Sequence, residues 1–170
     1  MVVLVTGGTG FIGQRLVKRL KDSGAILRLL SRQKQKLYDT VICDLEKESI
    51  PGDAFIGVDV VFHLAGFAHD LFNAANVDHI YRKVNVDATE ELAKLAAKTK
   101  IKKFVYVSSV KAGGSVISDK CMTENNYVKS DGIYGDTKRE AEQKLLEIGL
   151  KHSLNVTIVR PSLVYGPGVK

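Results

Sequence analysis

Val2-Val3-Leu4-Val5-Thr6 runs directly into Gly7-Gly8-Thr9-Gly10-Phe11-Ile12-Gly13, and this stretch decides the fold. An apolar, β-branched run is what a parallel strand covered on both faces looks like, and Ile12, Leu16, Val17 and Leu20 then recur at helical spacing as candidate core positions. The glycines therefore stand at a strand-to-helix junction. Gly7 is expected to make the tight turn, Gly10 to let the backbone approach a pyrophosphate, and Gly13 to let the helix pack on the strand. The phosphates would lie on the free N–H groups and positive end of a helix beginning near Phe11. Gly-x-x-Gly-x-x-Gly also occurs as an ordinary tight turn in unrelated α/β domains; its place between strand and helix favours the dinucleotide reading.

At 170 residues the chain has the size of one domain, able to bury a core without staples. Its two cysteines, Cys43 and Cys121, have no metal-ligand spacing, so reduced thiols and no metal site are expected. The chain opens on a core strand rather than a charged leader, and no apolar run approaches membrane-spanning length, which predicts a soluble cytoplasmic protein away from membranes. The net charge of +6 raises nucleic acid as a partner. The basic residues are scattered, however, as in Lys18, Arg19 and Lys21 and again in Lys98, Lys100, Lys102 and Lys103. With no recognition helix, stacking aromatics or zinc finger beside them, they read as solvated helix faces, and nucleic acid is excluded. Positive charge also suits a phosphate-bearing cofactor and substrate.

Further along, Ala25–Leu30 reads as a second strand leading to Ser31-Arg32. A carboxylate at that strand end would accept hydrogen bonds from the adenosine ribose and repel a 2′-phosphate; an arginine does the reverse. Ser31, Arg32 and Lys34 stand here, which tilts the expectation towards NADP over NAD, the other reading being that Arg32 is a solvated loop residue. Val41–Leu45 reads as a short third strand whose Asp44 either accepts from the adenine amino group or is a generic strand-end Asp. Pro51-Gly52 marks a short connection with a reduced crossover helix. Val58–Gly66 reads as the fourth strand, and its small carboxyl-end residues leave room for a cofactor. His63 within it is expected to be a core or supporting histidine. His69 and Asp70 do not by themselves make a metal site. A helix is expected over Asn76–Lys98, with Ile80, Val84, Leu92, Leu95 and Ala96 towards the core and Asn85 bridging backbone groups.

Phe104–Val107 reads as the fifth strand, ending in Ser108-Ser109, where hydroxyls face the ligand crevice of a parallel sheet. Tyr134-Gly135-Asp136-Thr137-Lys138 then opens another helix, and positions four apart share a face. A phenol with a pKa near 10 is a poor base at neutral pH, but a nearby ammonium favours the phenolate. Tyr134 can then move a proton to or from a substrate hydroxyl while Ser109 holds the same oxygen. Lys138 would also bind the nicotinamide ribose. Tyr-x-x-x-Lys alone is frequent on helices as a surface pair; after the glycine turn and the serine-ended strand, in that order, it carries more weight.

Thr6–Gly13, His63-Leu64-Ala65-Gly66, Ser108-Ser109, Tyr134-x-x-x-Lys138 and Arg160-Pro161-Ser162-Leu163-Val164-Tyr165-Gly166-Pro167-Gly168 together resemble, end to end, the successive landmarks of the extended short-chain dehydrogenase/reductase family. The resemblance implies an α/β, doubly wound parallel sheet, an NAD(P)-binding Rossmann fold in strand order 3-2-1-4-5-6, occupying residues 1–170 as one domain. It places the family's catalytic serine on Ser109, its tyrosine on Tyr134 and its lysine on Lys138. Cofactor contacts are expected at Gly7, Gly10, Phe11, Ile12, Gly13, Ser31, Arg32, Asp44, Leu45, Leu64, Ala65, Gly66, Tyr134, Lys138 and Pro161, the last following a sixth strand at Val156–Val159.

Tyr106–Lys111 and the ending Tyr165–Lys170 look most like nucleotide-sugar 4-epimerases and 4-ketoreductases of bacterial surface-polysaccharide pathways. That likeness implies an NAD(P)-dependent enzyme acting on a nucleotide sugar, with epimerase placed first and reductase or dehydratase as the alternative. A hydroxysteroid or flavonoid-type reductase uses the same landmarks, and a non-catalytic dinucleotide sensor is the alternative from another class. Two departures stand out: Ala112-Gly113-Gly114 where many members carry Val-Tyr-Gly, and Thr137 where many carry Ser. Similar proteins continue well beyond Tyr-Gly-Pro-Gly into a smaller domain that grips the substrate, so that lobe is expected to be missing here, either because the chain is a fragment or because the gene product lacks it. By the same likeness the helices near Asn76–Lys98 and Asp131–Lys151 would pair in a homodimer.

Overall fold

The computed structural model describes residues 1–68, 77–114, 123–124, 128–130 and 132–169. The opening stretch folds as its pattern requires: β1 is Val2–Thr6 and α1 is Phe11–Asp22. β2 (Ile26–Ser31), β3 (Asp39–Ile42), β4 (Val60–His63), β5 (Lys103–Val107) and β6 (Val156–Val159) join β1 in one sheet. All pairings are parallel and the order is β3-β2-β1-β4-β5-β6, the expected Rossmann arrangement. On one face Val3, Val5, Leu27 and Leu29 pack with Val17 of α1. On the other, Leu4, Val61, Phe104 and Tyr106 pack with α3 (Ala88–Lys98) and α4 (Gly132–His152). β1 is apolar throughout because both of its faces are covered.

The strand limits differ from the sequence expectation for local reasons. β2 begins one residue late because the Ala25 N–H is spent on the Leu20 carbonyl at the end of α1. β3 lies at 39–42 rather than 41–45. Beyond it Asp44 nucleates a turn, its carbonyl accepting from Lys47 and Glu48 and its side chain from the Glu46 N–H. β4 stops at His63 rather than Gly66, since β1 ends opposite it at Thr6 and the chain then turns at Gly7. The crossover between β3 and β4 is a single 3-10 turn, Gly52–Phe55, short as expected.

The helix expected over 76–98 is helical from 78 to 98, with α2 (Asp78–Arg82) and α3 separated by a π-helical turn at Lys83–Asp87. The wider turn contains the buried Asn85, and such turns are frequent at functional sites. Ile12, which shares the helical spacing of Leu16, Val17 and Leu20 and is also an expected cofactor contact, is 36% exposed and lines a cleft. No described helix is long and apolar enough to cross a membrane.

A Cβ added at Gly13 would lie 2.1 Å from the Gly7 carbonyl oxygen and 2.8 Å from the Gly8 Cα, both backbone atoms that cannot yield without moving the loop. Gly13→Ala is therefore expected to cost about 3 kcal/mol or more, read as a lowered urea midpoint at unchanged m.

Candidate functional site

At the carboxyl end of β1, Gly7 adopts φ +68°, and a Cβ there would stand 2.5 Å from the Ala65 amide nitrogen. Only glycine lets the loop lie against the end of β4. A Cβ on Gly10 would meet nothing but the Gly7 carbonyl oxygen, at 3.3 Å, so the loop surface at that point is bare. No side chain caps α1, which leaves its first-turn amides free to meet an anion. A cavity of about 350 Å³ sits against this loop, lined by Gly7, Gly10, Ser31, Arg32, Asp44, Leu45, Leu64, Ala65 and Gly66 among others. These nine are residues that the sequence singled out for a dinucleotide. Cys43 lines it too, as a buried free thiol pushed up to about 11 chiefly by burial.

A second cavity of about 610 Å³ shares Leu64 and Gly66 with the first and holds Ile12, Ser109, Tyr134, Lys138 and Pro161 in its wall. Phe11 and Gly13 line neither: the Phe11 ring carries the Arg15 guanidinium 4.2 Å from its centre, and Gly13 is packed under the loop. Asn76, His69, Asp70, Cys121 and Asp131 lie outside the described residues. Among the described residues no three His, Cys, Asp or Glu side chains gather as metal ligands.

Ser109, Tyr134 and Lys138 come from elements far apart in the chain. Ser109 starts the 3-10 turn Val110–Gly113, its hydroxyl accepting from the Lys111 N–H at 3.3 Å. Gly135 allows α4 to press on that turn, since a Cβ there would be 2.7 Å from the Lys111 carbonyl oxygen. The close approach brings Tyr134 to Ser109. Burial pushes the Tyr134 phenol above its ordinary value, with Tyr81 adding to the rise and the Ser109 hydroxyl opposing it. The sequence expectation of a phenol lowered by the Lys138 ammonium is not met. Lys138 Nζ is committed elsewhere, donating to the Val107 carbonyl at 2.9 Å and lying 4.2 Å from the Tyr106 ring centre, and burial brings it down to about 7.

Beneath the site a continuous hydrogen-bond chain crosses the sheet. The Ala65 N–H donates to Thr6 Oγ1 at 3.1 Å, and Thr6 Oγ1 meets His63 Nδ1 at 2.6 Å. His63 Nε2 lies 2.8 Å from Thr89 Oγ1, which donates to the Asn85 carbonyl at 2.8 Å. Because the Thr89 hydroxyl proton is used on that carbonyl, His63 is assigned the Nε2–H tautomer and accepts from Thr6 through Nδ1. Asn85 then grips Phe67 through both its N–H and its carbonyl, at 2.7 and 3.0 Å, and donates to Thr137 Oγ1 at 3.2 Å. The core role expected of His63 and the backbone-bridging role expected of Asn85 are what the structure shows.

Tyr81, Tyr106 and Glu142 are given no part in the site by the sequence, and Ser108 and Arg160, named there, take other parts than expected. Tyr81 stands in the wall of the second cavity, its ring edge-on to Tyr134 with centres 6.4 Å apart. Tyr106 stacks on His63 at 5.4 Å, and burial raises its phenol; Thr89 opposes that rise, but its oxygen is already engaged by His63 and Asn85, so the Tyr106 hydroxyl forms no well-shaped bond. Among the described residues the buried Ser108 hydroxyl, expected at the crevice, likewise has no hydrogen-bond partner. Glu142 and Arg160 form a two-pronged ion pair behind Lys138. A carboxylate between Ala141 and Leu145, one turn past Lys138, was the signal for it.

The chain belongs to the NAD dependent epimerase/dehydratase family, whose profile it matches over residues 3–170. It is 35% identical over 175 residues to the UDP-glucose 4-epimerase of Vibrio cholerae, covering 99% of this chain and 53% of that protein. It is 32% identical over 177 residues to the 3-beta-hydroxysteroid dehydrogenase of Mycolicibacterium neoaurum, covering 98% and 48%. A short-chain dehydrogenase/reductase superfamily protein of Agrobacterium tumefaciens, solved with bound NAD, superposes with a TM-score of 0.84 at 25% identity, over 94% of this chain and 48% of that one. The chain spans about half the length of the curated relatives it matches.

Burial, and secondarily the Lys138 charge, holds the His63 imidazole down to about 3. Below pH 6.5 the unfolded chain binds a proton at this ring that the folded chain refuses, so stability falls as the pH falls. The slope from this group is about 1.4 kcal/mol per pH unit between 6.5 and 3. Urea unfolding from pH 7 to pH 4 is expected to show a shallower loss in His63→Gln than in the parent chain.

Proposed function

We propose that this chain is the dinucleotide-binding part of an NAD(P)-dependent nucleotide-sugar 4-epimerase working through transient hydride transfer and a 4-keto intermediate. The observation that carries this reading is the meeting of Ser109, Tyr134 and Lys138 in the wall of one cavity, which shares Leu64 and Gly66 with the cavity over the glycine loop. The uncapped first turn of α1, the bare surface at Gly10 and the close Gly7–Ala65 contact suit a dinucleotide diphosphate. Gly7, Gly10 and the first-turn amides of Phe11, Ile12 and Gly13 would hold that diphosphate; Ser31, Arg32, Asp44 and Leu45 the adenosine end; Ala65, Gly66, Lys138 and Pro161 the nicotinamide end.

A bound nicotinamide supplies a reversible hydride acceptor. Tyr134, kept protonated by burial in the chain as it stands, would have to be ionised by the positive charge that a bound oxidised nicotinamide would bring; as the phenolate it would take the proton from the sugar C4 hydroxyl and return it to the same oxygen after the ketone has presented its other face. With substrate bound, Ser109 would turn its single O–H to that oxygen, giving up the bond through which it opposes the rise in the Tyr134 phenol. Lys138 orients the ribose. Tyr134 is half-buried in the wall that Ile12, Tyr81 and Val164 complete. Similarity to the Vibrio cholerae enzyme supports a UDP-sugar substrate. The same reading includes a cytoplasmic homodimer paired through the helical run 78–98 and α4, serving surface-polysaccharide synthesis.

Similarity to the Mycolicibacterium neoaurum enzyme favours a second reading, oxidation of a steroid alcohol by the same trio. A panel of UDP-sugars and 3β-hydroxysteroids separates the two. In an enzyme of which this chain is the dinucleotide-binding part, interconversion of UDP-glucose and UDP-galactose is expected, and turnover of steroids alone would refute the nucleotide-sugar class. In whichever substrate turns over, Tyr134→Phe is expected to lower kcat by about 10²- to 10⁴-fold. Arg32, beside Ser31 at the end of β2, is assigned to a 2′-phosphate. Titration with NADPH and NADH should show a preference for NADPH that Arg32→Asp abolishes; an unchanged ratio overturns the assignment.

A further inference from the structure

Glu142 lies on α4 one turn beyond Lys138 and two beyond Tyr134, so the three share a helix face. Lys138 and Glu142 are each only 3% exposed. The carboxylate is gripped from one side by Arg160, whose Nε donates to Oε1 at 3.0 Å and whose Nη2 donates to Oε2 at 2.5 Å. That grip fixes the carboxylate in orientation through two charge-assisted hydrogen bonds. Lys138, by contrast, meets neutral groups at contact distance, the Val107 carbonyl and the Tyr106 ring.

An ammonium with neutral contacts in a dry interior tends to release its proton, and the field of a nearby anion is what opposes this. The low dielectric of the interior lets such a field act beyond contact distance. We infer that Glu142, clamped by Arg160 on the same buried helix face, is the countercharge that limits the loss of the Lys138 proton inside the site, and is thus a positioning residue for the chemistry of Tyr134. The inference rests on the reading of Lys138 as a member of the reactive trio and adds a residue that the reading does not use.

The groups around Lys138 agree with it. From β4 comes His63, held neutral; from β5 comes Tyr106, a phenol raised by burial; from α4 itself comes Tyr134, also raised. The Lys111 ammonium, on the turn after β5, lies 6.0 Å from the Tyr134 ring centre. Arg160, after β6, is occupied with Glu142. Among the described residues, Glu142 is the carboxylate whose charge raises Lys138 against burial.

The test reads Lys138 directly. The chain is labelled at lysine Cε with carbon-13, the Lys138 signal is assigned by its absence in Lys138→Met, and its midpoint is followed by NMR from pH 5 to pH 11. The parent midpoint is expected near 7. Glu142→Gln is expected to move it down by about one pH unit or more. The double variant Glu142→Gln with Arg160→Gln strands neither charge and serves if the single variant does not fold; because the Arg160 cation is removed too, its expected drop is smaller than that of Glu142→Gln alone. A structural brace alone would loosen the site when removed and move the midpoint up, towards an ordinary lysine. An unmoved or raised midpoint overturns the inference. The titration needs neither substrate nor cofactor, so failure to turn over any nucleotide sugar would refute the proposed reaction without touching this assignment, while a static midpoint with turnover intact would do the reverse.

Discussion

The hydrogen-bond chain from the Ala65 amide through Thr6, His63 and Thr89 to the Asn85 carbonyl is the constraint on which the rest of the structure depends. It runs across β1 and β4 into the helical run 78–98, and Asn85 carries it on to Thr137 of α4. In a buried setting each link is costly to break, because a stranded donor or acceptor keeps its full desolvation penalty. The chain therefore holds the glycine loop, the small residues after β4 and the helix bearing Tyr134 and Lys138 in one frame. The π-helical turn at 83–87 is part of the same device, containing the buried asparagine that joins Phe67 to Thr137.

Charge inside this frame is sparse and positioned. His63 is kept neutral, Tyr106 and Tyr134 are kept protonated by burial, and Lys138 is brought close to neutrality. Those states follow from one cause, the exclusion of water from the α3–α4 side of the sheet. The Glu142–Arg160 pair is the exception, a buried anion made tolerable by two charge-assisted hydrogen bonds. Exposed pairs such as Lys18–Asp22 are screened by solvent and contribute little.

The segment after β6 closes the arrangement. The Pro161 carbonyl accepts from the Val110 N–H, which ties it to the turn beside Ser109. Farther on, the Pro167 carbonyl accepts from the Arg15 guanidinium, and Gly166 lies near the Phe11 ring. Residues 161–167 thus run from the second cavity back to the first turn of α1. This is why Phe11, adjacent to the glycines in sequence, turns its ring towards the end of the chain rather than into either cavity.

Much of this was legible in the sequence because it depends on local spacing. The unbroken apolar run of β1, the glycine intervals, the serine-ended β5 and the four-residue step from Tyr134 to Lys138 are features of single segments, as are the structural parts of His63 and Asn85, while the strand order was legible through the likeness of the whole set of landmarks to the short-chain dehydrogenase/reductase family. What only the tertiary structure decided concerns which neighbours arrive from elsewhere. Periodicity placed Ile12 on the apolar face of α1 but could not show that a cleft lies opposite it. Spacing put an ammonium near a phenol, yet its direction was set by the Val107 carbonyl and the Tyr106 ring, so burial came to dominate Tyr134. A dielectric environment is made by the whole fold and has no pattern along one segment, which is why the residues could be named from the sequence while their protonation could not.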